Sequence, residues 1–149
     1  MLFILLKVLL IAMLPVLELR AAIPYGLAAD ANLIWVAIFA VIGNLLPIPF
    51  LIIYTRKVFA WLRHRFPKAD SFISKFEEHG HEKGKLVHRY GFWGICILVA
   101  IPLPGTGAWT GALVAAMLNM RLKSAMPAIA IGVLIACILV IIPSVTLIG

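Results

Sequence analysis

Charge is scarce in this chain. Asp, Glu, Lys and Arg make up 13% of its 149 residues against 64% hydrophobic residues, and a soluble domain of that length has no need of such long apolar blocks. The composition is that of an integral membrane protein with a single transmembrane domain over residues 1–149. Cysteine is nearly absent as well. Cys96 and Cys137 lie in apolar stretches without metal-like spacing, which argues against a disulfide framework or zinc site and leaves two small buried hydrophobes. No nucleophile, base and orienting group recur at usable spacing, so the chain does not read as an enzyme. No cofactor and no metal are expected. His79, His81 and His88 are interrupted by Gly80 and Gly84 and flanked by solvated charges.

What charge there is has a pattern. The formal net charge is +7, yet the basic residues are not arranged for nucleic acid. Nine of the thirteen Lys and Arg residues fall between Arg56 and Arg89, and by the positive-inside rule that loop is cytoplasmic. Phe72, Ile73, Phe76, Leu86 and Val87 interleave with the charges, as in an amphipathic helix lying on anionic headgroups of the inner leaflet. The N-terminal run Met1 to Leu14 carries Lys7 within it and is followed by Glu18 and Arg20, so it reads as retained rather than as a signal peptide.

Five apolar blocks remain. Met1–Leu17 and Ala21–Ala29 are separated by Glu18 and Arg20, and neither fills a bilayer alone, since a spanning helix needs about 20 residues. Leu33–Thr55 is long enough to cross, with Pro47 and Pro49 kinking it near its end. Phe92–Met120 is broken at Pro102–Gly107 and closed by Arg121 and Lys123. If both its ends are cytoplasmic, the block dips in and returns. Ser124–Gly149 crosses once more. The expected fold is therefore all-α: two inverted repeats, residues 1–55 and 92–149, each a re-entrant helical hairpin followed by a crossing helix, joined by the basic linker 56–91. Gly26 and Gly43 in the first half are echoed by Gly111 and Gly132 in the second. Inverted repeats with discontinuous helices are a recurrent transporter design. A four-helix bundle with kinks is the alternative.

The breaks carry the chemistry. Pro15, Pro24 and Gly26 flank Glu18 and Arg20; Pro102, Pro104, Gly105, Gly107 and Gly111 surround Thr106 and Trp109. Ionisable groups within a span are costly and by default mark an ion or substrate path. Two positions apart, Glu18 and Arg20 do not face each other on a regular helix, so they pair directly only if the chain unwinds; otherwise each has its own partner. Glu18 is the candidate coupling carboxylate. The competing reading puts both at the interface, where long side chains reach water. In the second break the amides of Gly105, Thr106 and Gly107 open a new helix, whose N-terminus favours an anionic group. Thr106 adds a hydroxyl and Trp109 an indole donor; a tight turn with a packing Trp is the plainer reading. Asn44, an amide in a crossing helix, lines the same cavity or bonds another helix.

In Glu18-Leu19-Arg20, Ala22-Ile23-Pro24, Gly26 and the run Pro102 to Gly111, the chain resembles the small multidrug export family of bacterial and archaeal membrane proteins, over nearly its whole length. More distantly its layout is similar to the DedA and VTT superfamily, whose members carry opposed re-entrant hairpins and include polyprenyl-phosphate flippases and lipid scramblases. These resemblances, with the broken runs, imply an H⁺- or Na⁺-coupled carrier or flippase for an amphipathic substrate with an anionic headgroup. The alternatives are an exporter of small hydrophobic or cationic drugs, and a structural membrane protein that transports nothing. Membrane lipids are the expected partners, with a homodimer suggested by the small size of the chain.

Overall fold

A computed structural model describes residues 1–66, 91–103, 105–118 and 120–149. The described chain is all-helical. Its helices are α1 (Leu2–Met13), α2 (Glu18–Ala28), α3 (Leu33–Leu45), α4 (Ile48–Arg65), α5 (Phe92–Ala100), α6 (Ala108–Met117) and α7 (Leu122–Ile148). The amphipathic segment expected within the linker lies outside the described residues, as does Pro104.

Both main breaks obey one local rule. A residue preceding proline is pushed out of helical geometry; Leu14 before Pro15 is extended at φ −76°, ψ 138°, and Ile101 before Pro102 at φ −73°, ψ 117°. At both breaks the chain then turns back on itself. A Cβ at Gly26 would stand 3.0 Å from Val8 Cγ2, and one at Gly111 would stand 2.5 Å from Val99 Cγ2. Gly26 and Val8 lie on opposite sides of the first break, so a single kinked helix through Pro15 is excluded by its own length.

The expected crossing helix Leu33–Thr55 differs in two respects. It is divided at Leu46–Pro47 into α3 and α4, and α4 runs on to Arg65 rather than ending at Thr55. Pro47 stands at the N-cap of α4 and Pro49 in its first turn, where a missing N–H breaks no helical bond. Asn32 starts α3: its side-chain oxygen accepts from the Ile34 amide at 3.0 Å, a standard cap.

Leu33–Leu62, taken through that break, and Leu122–Ile148 are each long and apolar enough to cross a membrane. Twenty-seven residues make α7 about 40 Å long, against a hydrocarbon core of about 30 Å. The paired helices α1, α2, α5 and α6 have 9 to 12 residues, about 14–18 Å each, or half a bilayer.

Packing is turned inside out relative to a soluble protein. Ala12, Ala22, Ala40, Ala108, Ala112, Ala115, Ala125 and Ala128 are buried, whereas Phe3, Leu10, Ile34, Phe50, Trp61, Trp93, Ile138 and Ile142 face outward. Small residues allow close helix approach, and large apolar ones suit lipid. α1 packs on α2 and α3, and α5 on α6 and α7; α2 also meets α7, while α6 meets α4. Glycine sets the closest approaches. A Cβ at Gly43 would meet the backbone of Leu9, its Cα at 3.0 Å, and one at Gly132 would meet Val99 Cβ at 2.7 Å and the Cys96 carbonyl at 2.9 Å.

Candidate functional site where the two breaks meet

Glu18 and Arg20 leave the first break in the same direction, toward the second. Glu18 opens α2 at φ +46°, in the left-handed region that costs a non-glycine residue about 1–2 kcal/mol, and its side chain is only 6% exposed. Its Oε1 accepts from the Trp109 amide at 3.4 Å, and the Ala108 amide also bonds the carboxylate. The carboxylate thus caps α6, where unpaired N–H groups and the helix dipole favour negative charge. Gly107 makes this approach possible. It lies at φ +124°, and a Cβ there would collide with Glu18 Oε2.

Arg20 takes the carbonyl side of the same loop. Its Nη2 donates to the Leu103 carbonyl, to the Thr106 carbonyl at 3.0 Å and toward Thr106 Oγ1 at 3.4 Å. Of the two sequence alternatives for Glu18 and Arg20, the structure adopts separate partners: one side chain serves the amides of the second break and the other its carbonyls.

Two expectations for the second break are revised. Thr106 does not hold its hydroxyl free for a ligand; Oγ1 donates within reach of the Ile101 and Leu103 carbonyls, at 2.6 and 2.7 Å, and accepts from the Leu103 amide at 3.2 Å. It staples the loop internally, with Thr110 Oγ1 adding a bond to the Gly105 carbonyl at 3.0 Å. The α6 terminus, expected as open amides for an anion, is already held by this chain's own carboxylate. Trp109 brings its backbone N–H to that bond, while its indole Nε1 is buried without a hydrogen-bond partner among the described residues.

Three of the residues grouped as breaks lie inside helices instead. Pro24 and Gly26 are within α2 and Gly111 within α6; the two glycines serve helix contact. Pro15 and Pro102 do lie at the turns, and Gly105 has positive φ, +81°. Asn44 on α3 joins the site: it is 1% exposed, its Oδ1 has no hydrogen-bond partner among the described residues, and it lines one small cavity with Glu18, Arg20, Gly107 and Ala108.

Two larger cavities border Arg20, one of them Glu18 as well. One of about 380 Å³ is lined by Pro15, Val16, Glu18, Arg20, Gly105, Thr106 and Thr110. The other, of about 520 Å³, is walled by Arg20, Pro24, Pro102 and the end of α7, including Leu139, Pro143, Ser144 and Leu147. That α7 contribution was not foreseen; the Pro143-Ser144 step late in an apolar helix was its only sequence signal. Arg56 of α4 donates from Nη2 to the Met120 carbonyl, just before α7. Arg56 is therefore tied to the Arg121 end of the second half and does not stand in a free loop.

Two helices of membrane-spanning length and an apolar exterior fit a membrane protein. The family model described as "Putative small multi-drug export protein" matches residues 18–139, and the chain belongs to that family. No curated protein and no solved structure matches the chain, and the likeness to the DedA and VTT superfamily finds no support there.

Proposed function

We propose that this protein is an ion-coupled carrier or flippase for an amphipathic substrate with an anionic headgroup, such as a polyprenyl-phosphate lipid. The observation that carries this reading is the position of Arg20. It borders both the cavity between the breaks, which Glu18, Thr106 and Thr110 also line, and the apolar cavity along α7, and only Nη2 of its guanidinium is bonded to protein among the described residues. The other edge of the fork is free to take a phosphate or carboxylate, while a chain lies along the apolar wall. Cavities of this size are typical of small-ligand sites.

Coupling follows from the capped helix. Glu18 and a substrate anion compete for the same α6 amides, so neutralising Glu18 with a proton frees the terminus for substrate. Each ligand then changes the affinity for the other by one and the same factor. The inverted repeat is supported by matched packing. In each half the second hairpin helix and the crossing helix place a glycine against the first hairpin helix: Gly43 and, beside its closer contact with Val36 of α3, Gly26 against α1, and Gly111 and Gly132 against α5. The cross-contacts α2 with α7 and α6 with α4 correspond in the same way. On this reading the helix pairs enter from opposite faces of the cell membrane, and the basic linker is cytoplasmic.

The family description favours a second reading, export of small hydrophobic or cationic drugs. A guanidinium in both large cavities opposes a cationic cargo. Reconstitution into liposomes under an imposed pH gradient, with a polyprenyl phosphate and a cationic dye as separate cargoes, distinguishes the two. The expected result is translocation of the phosphate, abolished in Arg20→Ala and Glu18→Gln proteins that still fold. Movement of the dye alone, or an active Arg20→Ala, refutes the assignment.

A further inference from the structure

The small cavity between α2, α3 and the start of α6 has a volume of about 10 Å³, room for a single water-sized ligand. Its walls are apolar on the α5 and α7 sides, formed by Val99, Val133, Ala136 and Val140, and Glu18 and Arg20 are the charged residues lining it. The other elements packed on α2 bring no further charge to it: Lys7 of α1 is exposed, with its ammonium 4.6 Å from the Phe3 ring centroid, and α3 contributes the neutral Asn44. Asn44 Oδ1 is a buried acceptor without a donor among the described residues, and an orphan of this kind costs about 1–3 kcal/mol. Glu18 offers a second acceptor, since Oε1 takes the Trp109 amide and Oε2 faces Gly107.

Two acceptors around a space for one small molecule call for a ligand with two donors. We infer that this cavity binds one ordered water, donating one hydrogen to Asn44 Oδ1 and the other to the Glu18 carboxylate, and that Asn44 is thereby a positioning residue for the proton-carrying group. The water supports the ionised carboxylate. When Glu18 takes up a proton on Oε2, its O–H donates to the same water oxygen, which keeps its bond to Asn44; the proton is held without breaking the network. A hydroxylated or apolar residue at 44 separates the two consequences. The inference rests on the reading of Glu18 as the coupling carboxylate, but its test does not require transport.

The test is infrared difference titration of the full-length protein in lipid nanodiscs, with the protonated-carboxyl band assigned by its loss in Glu18→Gln. Asn44→Leu removes the acceptor and fills the cavity, so the carboxylate loses a donor. The midpoint of the band is expected to move up by about one pH unit, a tenfold change in proton affinity. Asn44→Ser, which keeps an acceptor and leaves room for water, is expected to stay near the wild-type midpoint. If Asn44→Leu does not accumulate, Asn44→Val carries the same expectation. An unmoved midpoint in the apolar variants overturns the inference and leaves proton-coupled transport standing. Replacing choline by Na⁺ supplies the other refutation. A midpoint that follows Na⁺ in the wild type, and not in Asn44→Leu, makes the occupant a metal cation.

Discussion

Replacing Gly107 by alanine is the sharpest perturbation of the contact between the two breaks, because one methyl group offends twice. At φ +124°, ψ −171° the residue occupies a region essentially reserved for glycine, and holding another residue there costs about 1–3 kcal/mol. The new Cβ also overlaps Glu18 Oε2, so the carboxylate must withdraw from the Trp109 amide. Charge-assisted bonds contribute about 1.5–3 kcal/mol, and at 3.4 Å this one belongs at the lower end. Together the two terms come to about 3–4 kcal/mol, two to three orders of magnitude in the population of the native break. Thermal unfolding of detergent-solubilised protein followed by size exclusion reads the loss, and proteoliposome transport reads its consequence. A double-mutant cycle with Glu18→Ala separates the causes: removing the carboxylate relieves the collision but not the backbone strain, giving a coupling of about 1 kcal/mol or more. Wild-type stability and transport in Gly107→Ala would refute the geometry, and strict additivity with Glu18→Ala would refute the collision.

Thr106→Val keeps the shape and loses the hydroxyl that ties Ile101, Leu103 and Arg20 together, an expected loss of about 1–3 kcal/mol; Thr106→Ser is expected to restore most of it in the same unfolding assay, and a stable valine variant would mean the staple is idle. Gly43→Val drives a side chain into the Leu9 backbone and is expected to prevent accumulation of folded protein, whereas Gly91→Asn meets open space around its Cβ but must hold φ +58°, and is expected to accumulate with a stability loss of about 1–3 kcal/mol in the same unfolding assay. Asn32→Ala removes the α3 cap and costs about 1 kcal/mol, read as a lowered unfolding midpoint and undone by Asn32→Asp. Single cysteines at Asp30 and Arg121, in a background lacking Cys96 and Cys137, are expected to label from opposite sides of sealed vesicles; labelling of both from one side would overturn the opposed arrangement of the two halves.

The breaks at Pro15 and Pro102 were legible because the physics there is local: a residue before proline leaves the helical region whatever surrounds it. The length of α4 was not, since its last turns carry Arg56, Lys57, Arg63 and Arg65, and positive charge reads as loop until a partner such as the Met120 carbonyl is known. The candidate pair Glu18 and Arg20 was visible from the cost of charge in an apolar run. Their partners were not, because 91 residues separate Glu18 from Trp109 and no periodicity encodes a contact at that range. Thr106 shows the same limit at short range: a hydroxyl beside glycines is equally suited to a ligand and to its own loop, and only the loop's curvature decides. Asn32 did carry a readable signal, an Asn directly before an apolar run.

What the two breaks do for each other explains why both exist. A break at membrane depth exposes amides on one side and carbonyls on the other, and each group left unpaired in hydrocarbon costs several kcal/mol. The second break exposes both kinds, and the first supplies a counterpart for each: the Glu18 carboxylate for the amides at the start of α6, the Arg20 guanidinium for the carbonyls of Leu103 and Thr106. Thr106 satisfies Ile101 and Leu103 from within. The ionisable pair is satisfied in return, since neither charge has to be buried alone. Mutual satisfaction of this kind is reversible. Each bond is made by a side chain that can swing or change protonation state, and not by a helical ladder that must unwind. On the proposed carrier reading this matters: a pair of continuous helices could not exchange internal partners for those of a substrate.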